Sequence, residues 1–272
     1  MTESAAAPIG MVDSLADLSG GPTEEALAFA RAYVADGEMD PALLALLRDP
    51  ERLAERAVAD AAKKARDWPA LSHYRAANAA LAGQRTDVVF IGDSITEMWR
   101  IAQPDLFRDG VVNRGISGQT SPQILLRFMP DVIALKPRAV HLMCGINDVA
   151  GNTGPTTPAD YKANILAMLE LARANGVTVI LAGLTPISGL PWTPGVQDPK
   201  GRAAELNAWL AALAAERGLI HADYGPVLAD AQGGLRADYT RDGVHPVGRG
   251  YDAMRPVAVA AMNAALQKPA GD

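Results

Sequence analysis

Only one cysteine, Cys144, occurs in the 272 residues, so an internal disulfide is excluded and the fold must rest on its core. Cys144 lies in an apolar run and reads as a small buried hydrophobe, which leaves the redox compartment open. Aromatic residues are few, at 5%. No run approaches the about 18 consecutive apolar residues that a membrane span needs. Positive charge is not in excess either: the formal net charge is −6 and the pI near 5.3. Nucleic acid and anionic membrane are therefore poor partners, and a small uncharged or cationic molecule fits better. Paired histidines at helical spacing, a P-loop and a G-x-G-x-x-G opening a helix after a strand are all missing, so no metal and no cofactor is expected. A G-x-S-x-G elbow is missing too. Gly115-Ile116-Ser117-Gly118-Gln119 ends on glutamine, against the larger serine-hydrolase fold built on that turn.

What is present suffices for an ordinary core, with 49% apolar and 21% charged residues. The start Met1-Thr2-Glu3-Ser4-Ala5 has an acid where an export signal has lysine or arginine, and Asp13 and Asp17 interrupt any apolar stretch behind it. The expected location is thus cytoplasmic. The chain divides near residue 84, giving an all-helical extension over 1–83 and a strand-helix unit over 84–268. Met1 to Pro22 reads as an irregular arm. Thr23-Glu24-Glu25, Asp40-Pro41 and Asp49-Pro50-Glu51 each open a helix with a capping residue, and a fourth is expected from Leu71 to Leu81. The extension is open to three readings, a lid, a homo-oligomer surface or a scaffold; one apolar face per helix favours the scaffold.

Beyond residue 84, short strands buried on both faces alternate with helices. The strands are Asp87 to Ile91, Val111 to Asn113, Ala139 to Cys144, Val177 to Ala182 and Leu219 to Ala222. The helices are Ser121 to Leu135 with a kink or a break at Pro130, Thr157 to Asn175, Arg202 to Arg217 and Gly248 to Gln267. That rhythm demands right-handed crossovers and a parallel sheet covered on both faces, whose ligands bind outside the carboxyl ends of the strands.

Chemistry gathers at those ends. Gly92-Asp93-Ser94-Ile95 follows the first strand, and Thr240-Arg241-Asp242-Gly243-Val244-His245-Pro246 forms a polar loop near the other end of the chain. A serine hydroxyl needs a histidine to take its proton and a carboxylate to hold that histidine in one tautomer. Of the four histidines, His73, His141 and His221 read as structural, while His245 shares a tight loop with Asp242. Asn113-Arg114-Gly115-Ile116-Ser117-Gly118 and Gly145-Ile146-Asn147-Asp148 end two further strands and offer amide donors for an anion. Asp93 and Asp148 read as structural, accepting backbone amides.

These four blocks, in this order, resemble those of the GDSL-type esterases and lipases, also called SGNH hydrolases. The likeness runs from about Thr86 to the helix after His245, and Ile95 stands where that family often has leucine. The resemblance implies a three-layer α/β/α flavodoxin-like fold, with Ser94 as nucleophile, His245 as base and Asp242 orienting it. It also implies an oxyanion hole of the Ser94 amide, the Gly115 amide and the Asn147 side chain. The implied reaction is hydrolysis of a small-molecule ester. Acyl transfer to a sugar or other alcohol uses the same residues, and a non-catalytic binding module would betray itself by a broken block, of which there is none. Around the site, Arg114 either pairs with a carboxylate or faces the substrate. Met98 and Trp99 read as core before acyl pocket. Trp192, in the turn-rich segment Leu184 to Gly201, reads equally as cleft floor or packing. The small loops favour a short acyl chain.

Overall fold

The computed structural model of the protein describes residues 24–268, so the arm expected over Met1 to Pro22 lies outside the described residues. Three helices come first: α1 (Glu24–Val34), α2 (Pro41–Arg48) and α3 (Pro50–Arg66). Asp40 Oδ1 accepts the Ala42 N–H at 2.8 Å and Asp49 Oδ1 that of Glu51 at 3.0 Å, each ahead of a proline that needs no donor partner. The fourth helix is shorter than expected, α4 covering only Arg75–Ala80. The Asp67 carboxylate takes the N–H groups of Leu71 (2.9 Å) and Ser72 (2.8 Å), and that local competition holds the preceding residues in turns.

The strand-helix unit then runs β1 (Val88–Gly92), α5 (Ser94–Ala102), β2 (Val111–Gly115), α6 (Ser121–Asp131), β3 (Ala139–Met143), α7 (Ile146–Ala150), α8 (Pro158–Ala174), β4 (Thr178–Ala182), α9 (Pro199–Arg217), β5 (Ile220–Ala222), α10 (Gly225–Leu228) and α11 (Gly248–Gln267). The five strands are parallel and lie in the order β2-β1-β3-β4-β5. From β1 the chain moves outward to β2 and then crosses back to β3. Its direction therefore reverses at β1, which opens a crevice at the carboxyl ends there. Gly92 is level with both Gly115 and Met143, so three strands deliver their following loops to one rim.

Alternate strand residues feed two cores. Val89, Ile91, Val140, Leu142 and Leu181 pack under α6, α8 and α9 through Ile124, Phe128, Ile165, Met168 and Leu210. Val88, Phe90, Ala139 and Ile180 pack under α5 and α11 through Trp99, Tyr251 and Met254, with Val34 of α1 joining them. This is the three-layer α/β/α arrangement. Helix α6 ends at Asp131 instead of reaching Leu135, and a 3-10 turn covers Ile133–Leu135. The helix runs through Pro130, and the ladder gives out where Val132 leaves helical geometry at φ −122° and ψ −68°. Helix α9 starts at Pro199, ahead of the expected Arg202, because Asp198 caps it by accepting the Gly201 N–H at 3.0 Å.

The helical extension is fastened to the sheet unit. Gln119 Nε2 donates to the Pro69 carbonyl (2.9 Å), Gln123 Nε2 to that of Trp68 (2.6 Å), and Asn78 Nδ2 to Asp131 (2.7 Å). At the other edge Arg241 grips the end of α1, donating to the carbonyls of Tyr33 (3.0 Å) and Ala35 (2.7 Å). Among the described residues no helix is long and apolar enough to cross a membrane.

Candidate active site

Ser94 is the first residue of α5. Asp93 caps that helix by accepting the Ile95 N–H at 3.0 Å, which fixes the turn out of β1 and presents the serine at the strand's end. The loop before α11 reaches the same point from the far side of the sequence. His245 Nε2 lies 2.9 Å from Ser94 Oγ, and His245 Nδ1 lies 2.7 Å from Asp242 Oδ2. Asp242 is itself fixed, its Oδ1 accepting the N–H groups of Val244 and His245, both at 2.9 Å. Burial works to raise the Asp242 carboxyl, but the hydrogen bond and charge of His245, helped by backbone and the Tyr33 hydroxyl, hold it well below the usual range. Asp242 is thus an anion wherever the protein is folded near neutrality. An anionic acceptor at Nδ1 leaves Nε2 as the free lone pair facing the serine.

Asn147 stands on the first turn of α7. Its Nδ2 donates to the Gln119 carbonyl at 3.0 Å and to Asp93 Oδ2 at 3.3 Å. Its Oδ1 accepts from Asn152 Nδ2 at 2.6 Å, and Asn152 Oδ1 accepts from Trp192 Nε1 at 2.9 Å. Asp148 does what was expected of it, accepting the Ser121 N–H (2.9 Å) and hydroxyl (2.6 Å) and so fastening the start of α6. Burial pushes both Asp93 and Asp148 up to about 6.

Gly115 is not a free donor. Its N–H is already held by Asn113 Oδ1 at 2.9 Å, and a Cβ built on it would lie 2.2 Å from the Glu97 backbone nitrogen. Its missing side chain serves the packing of β2 against α5, which corrects the expectation that its amide faces an anion. Three residues on, Gly118 has φ +77° and nothing within 4 Å of a Cβ position, and among the described residues its N–H has no hydrogen-bond acceptor. It precedes Gln119, whose carbonyl Asn147 holds.

Arg114 also departs from expectation. It lies over the Tyr74 ring at 4.7 Å and bonds Asn78 Oδ1 (2.7 Å) and the Asn113 carbonyl (2.8 Å), pairing with neither Asp93 nor Asp148. Met98 packs into the core beneath α5 and α11, and Trp99 is wholly buried there with its Nε1 on Gln103. Trp192 does reach the site, 41% exposed with its ring centroid 5.9 Å from that of His245. The sequence reading missed three neighbours. Tyr33 of α1 sets its ring edge-on to His245 at 6.0 Å, and its hydroxyl interacts with Asp242, which with burial raises its pKa. Arg127, fully buried on α6, ties the ends of β1 and β2 by donating to the carbonyls of Gly92 (2.8 Å) and Arg114 (2.7 Å). Asn152 sat among turn residues with no local signal. Among the described residues no group of His, Cys, Asp and Glu could hold a metal ion.

Comparison with known proteins places the chain among relatives of one family. The crystal structure of a GDSL-like lipase from Bacteroides thetaiotaomicron is 40% identical with a TM-score of 0.71, covering 73% of this chain and 100% of that one. Esterase TesA of Pseudomonas aeruginosa is 32% identical over 136 residues, 50% of this chain and 61% of its own length. An uncharacterized lipoprotein of Bacillus subtilis, YqeF, is 34% identical over 80 residues, 28% of this chain and 33% of its own length. The matches thus span less than two thirds of either curated relative. Residues 90–253, more than half of the chain and including both Ser94 and His245, match the GDSL-like Lipase/Acylhydrolase family, and the chain belongs to it.

Proposed function

We propose that the protein is a serine esterase that hydrolyses carboxylic esters, with short acyl and acetyl esters foremost, through an acyl-enzyme. The observation that carries this reading is the unbroken chain from Ser94 Oγ through both nitrogens of His245 to Asp242. In the first step His245 Nε2 takes the Ser94 proton as Oγ attacks the ester carbonyl. The tetrahedral anion collapses, the C–O bond to the alcohol breaks, and the imidazolium returns its proton to the departing alkoxide. Water then attacks the acyl-serine with His245 again as base, releasing the acid and restoring Ser94. The oxyanion is met by the Ser94 amide at the start of α5, the Asn147 amide group and, in place of Gly115, the amide of Gly118. The short turns after β1 and β3 favour a short acyl group, and an esterase among the relatives supports the reaction class.

Ser94→Ala and His245→Ala are each expected to abolish release of p-nitrophenol from p-nitrophenyl acetate. Asn147→Ala is expected to lower kcat about a hundredfold, the usual cost of one oxyanion donor. Parental turnover by Ser94→Ala would end the reading. Transfer to an alcohol instead of water uses the same residues, and product analysis with competing sugar acceptors separates the two. A binding module on the same fold would leave Ser94 unlabelled by an organophosphate. A panel of esters from acetate to decanoate sets the acyl length.

A further inference from the structure

An amide side chain has a donor end and an acceptor end of nearly the same shape, so a half-turn of Asn147 would point Oδ1 where a developing oxyanion needs a proton. Something must fix which end faces Ser94. The hydrogen bonds around Asn147 form a chain whose direction is set at both termini. At one end the indole Nε1 of Trp192 is a donor only, so the atom of Asn152 that it meets at 2.9 Å is an oxygen. The other end of Asn152 is then NH2, and it meets Asn147 at 2.6 Å, where the partner atom must be Oδ1. The Asn147 NH2 is thereby turned away from Asn152 and toward Asp93, the residue that caps α5 just before Ser94, where it finds two acceptors, the Gln119 carbonyl at 3.0 Å and Asp93 Oδ2 at 3.3 Å. The backbone adds to the hold, as the Asn152 N–H donates to the Asn147 carbonyl at 3.1 Å.

We propose that Asn152 and Trp192 are positioning residues that lock the Asn147 amide with its nitrogen toward the nucleophile. The inference rests on the reading of Asn147 as an oxyanion donor and deepens it. Asp93, at the longer of the two acceptor bonds, is the partner that Asn147 exchanges for the oxyanion, while the shorter bond to Gln119 and the bond from Asn152 stay in place. Trp192 stands beside His245 as well, so one indole borders both the base and the amide.

The experiment is a double-mutant cycle on the full chain, with kcat and KM for p-nitrophenyl acetate and the thermal midpoint measured for each variant. Asn152→Ala and the near-isostere Asn152→Asp, which cannot donate when ionised, are expected to lower kcat tenfold or more with KM within twofold of the parent. Trp192→Phe, which keeps a ring beside His245 but removes the donor, is expected to lose three- to tenfold. In an Asn147→Ala background neither Asn152 substitution should cost more than a further twofold, because the group it orients is gone. A general loss of structure would instead multiply through the cycle. Parental kcat in Asn152→Asp, or losses that multiply in the double variants, would overturn the proposal while leaving the esterase reading intact. Full turnover by Asn147→Ala would overturn the proposal together with the reading of Asn147 as an oxyanion donor.

Discussion

Two buried carboxyls, Asp93 next to Ser94 and Asp148 against the start of α6, are held near 6 chiefly by burial, although each accepts a backbone amide that favours its charge. For Asp93 the folded protein therefore binds a proton more tightly than the unfolded chain. Between about pH 4 and 6 the native state holds more protons, so this group's contribution to stability falls as pH rises through that window, by up to about 3 kcal/mol. Asp93→Asn keeps the shape without the charge, and any cost of misplacing its NH2 beside Asn147 is the same at every pH. The difference in melting temperature, variant minus parent, is accordingly expected to grow from pH 5 to pH 7, and a flat difference would contradict the assignment. Gly115→Ala tests the packing role of that glycine. Its methyl would meet backbone at 2.2 Å, and overpacking of this kind costs about 1–3 kcal/mol, readable by urea denaturation. At this scale the sequence displayed the proposed nucleophile, base and acid, because spacing and residue type are enough to single them out. Asn152 and Tyr33 stayed hidden, since an asparagine in a turn and a tyrosine on a helix become informative only through what lies next to them.

Helix starts were the most legible elements, and their chemistry is local. Thr157 Oγ1 accepts the Asp160 N–H at 3.1 Å while the Asp160 carboxylate accepts the Thr157 N–H at 3.2 Å, closing a capping box at the head of α8. Thr157→Ala is expected to cost about 1 kcal/mol in urea denaturation with turnover unchanged, as the helix start is exposed and away from Ser94. Helix ends and short helices were less legible. The shortening of α4 depends on Asp67 winning the amides of Leu71 and Ser72, and α7 and α10 are too short to show a hydrophobic period. Gly115 belongs here too: a glycine three residues from another glycine gives no sign of which one must fit under a neighbouring helix and which keeps an open amide.

For the whole molecule, the described part of the extension, residues 24–83, is attached at two separate places. Residues 68–78 supply acceptors and donors to α6 and to the turn at Gln119, whereas α1 is gripped by Arg241 and sets Tyr33 against the Asp242-His245 loop. Deleting residues 1–66 should therefore leave a folded protein with turnover reduced about tenfold or more, from loosening of that loop. Deleting residues 1–82 should also strip Asn78 from the buried Arg114 and Asp131, at about 1–3 kcal/mol for each orphaned group, and lower the thermal midpoint further. Equal midpoints for the two truncations would refute this division. Sequence alone determined the fold class and pointed to Ser94, His245 and Asp242 as the proposed triad, because hydrophobic period and residue chemistry are carried by neighbours along the chain. Only the tertiary structure decided the strand order, the packing of Gly115 and Arg114 against their neighbours, and the placing of Tyr33 and Trp192 beside His245 and of Asn152 beside Asn147. Those depend on distances between residues far apart in the chain, which packing sets and no local pattern encodes.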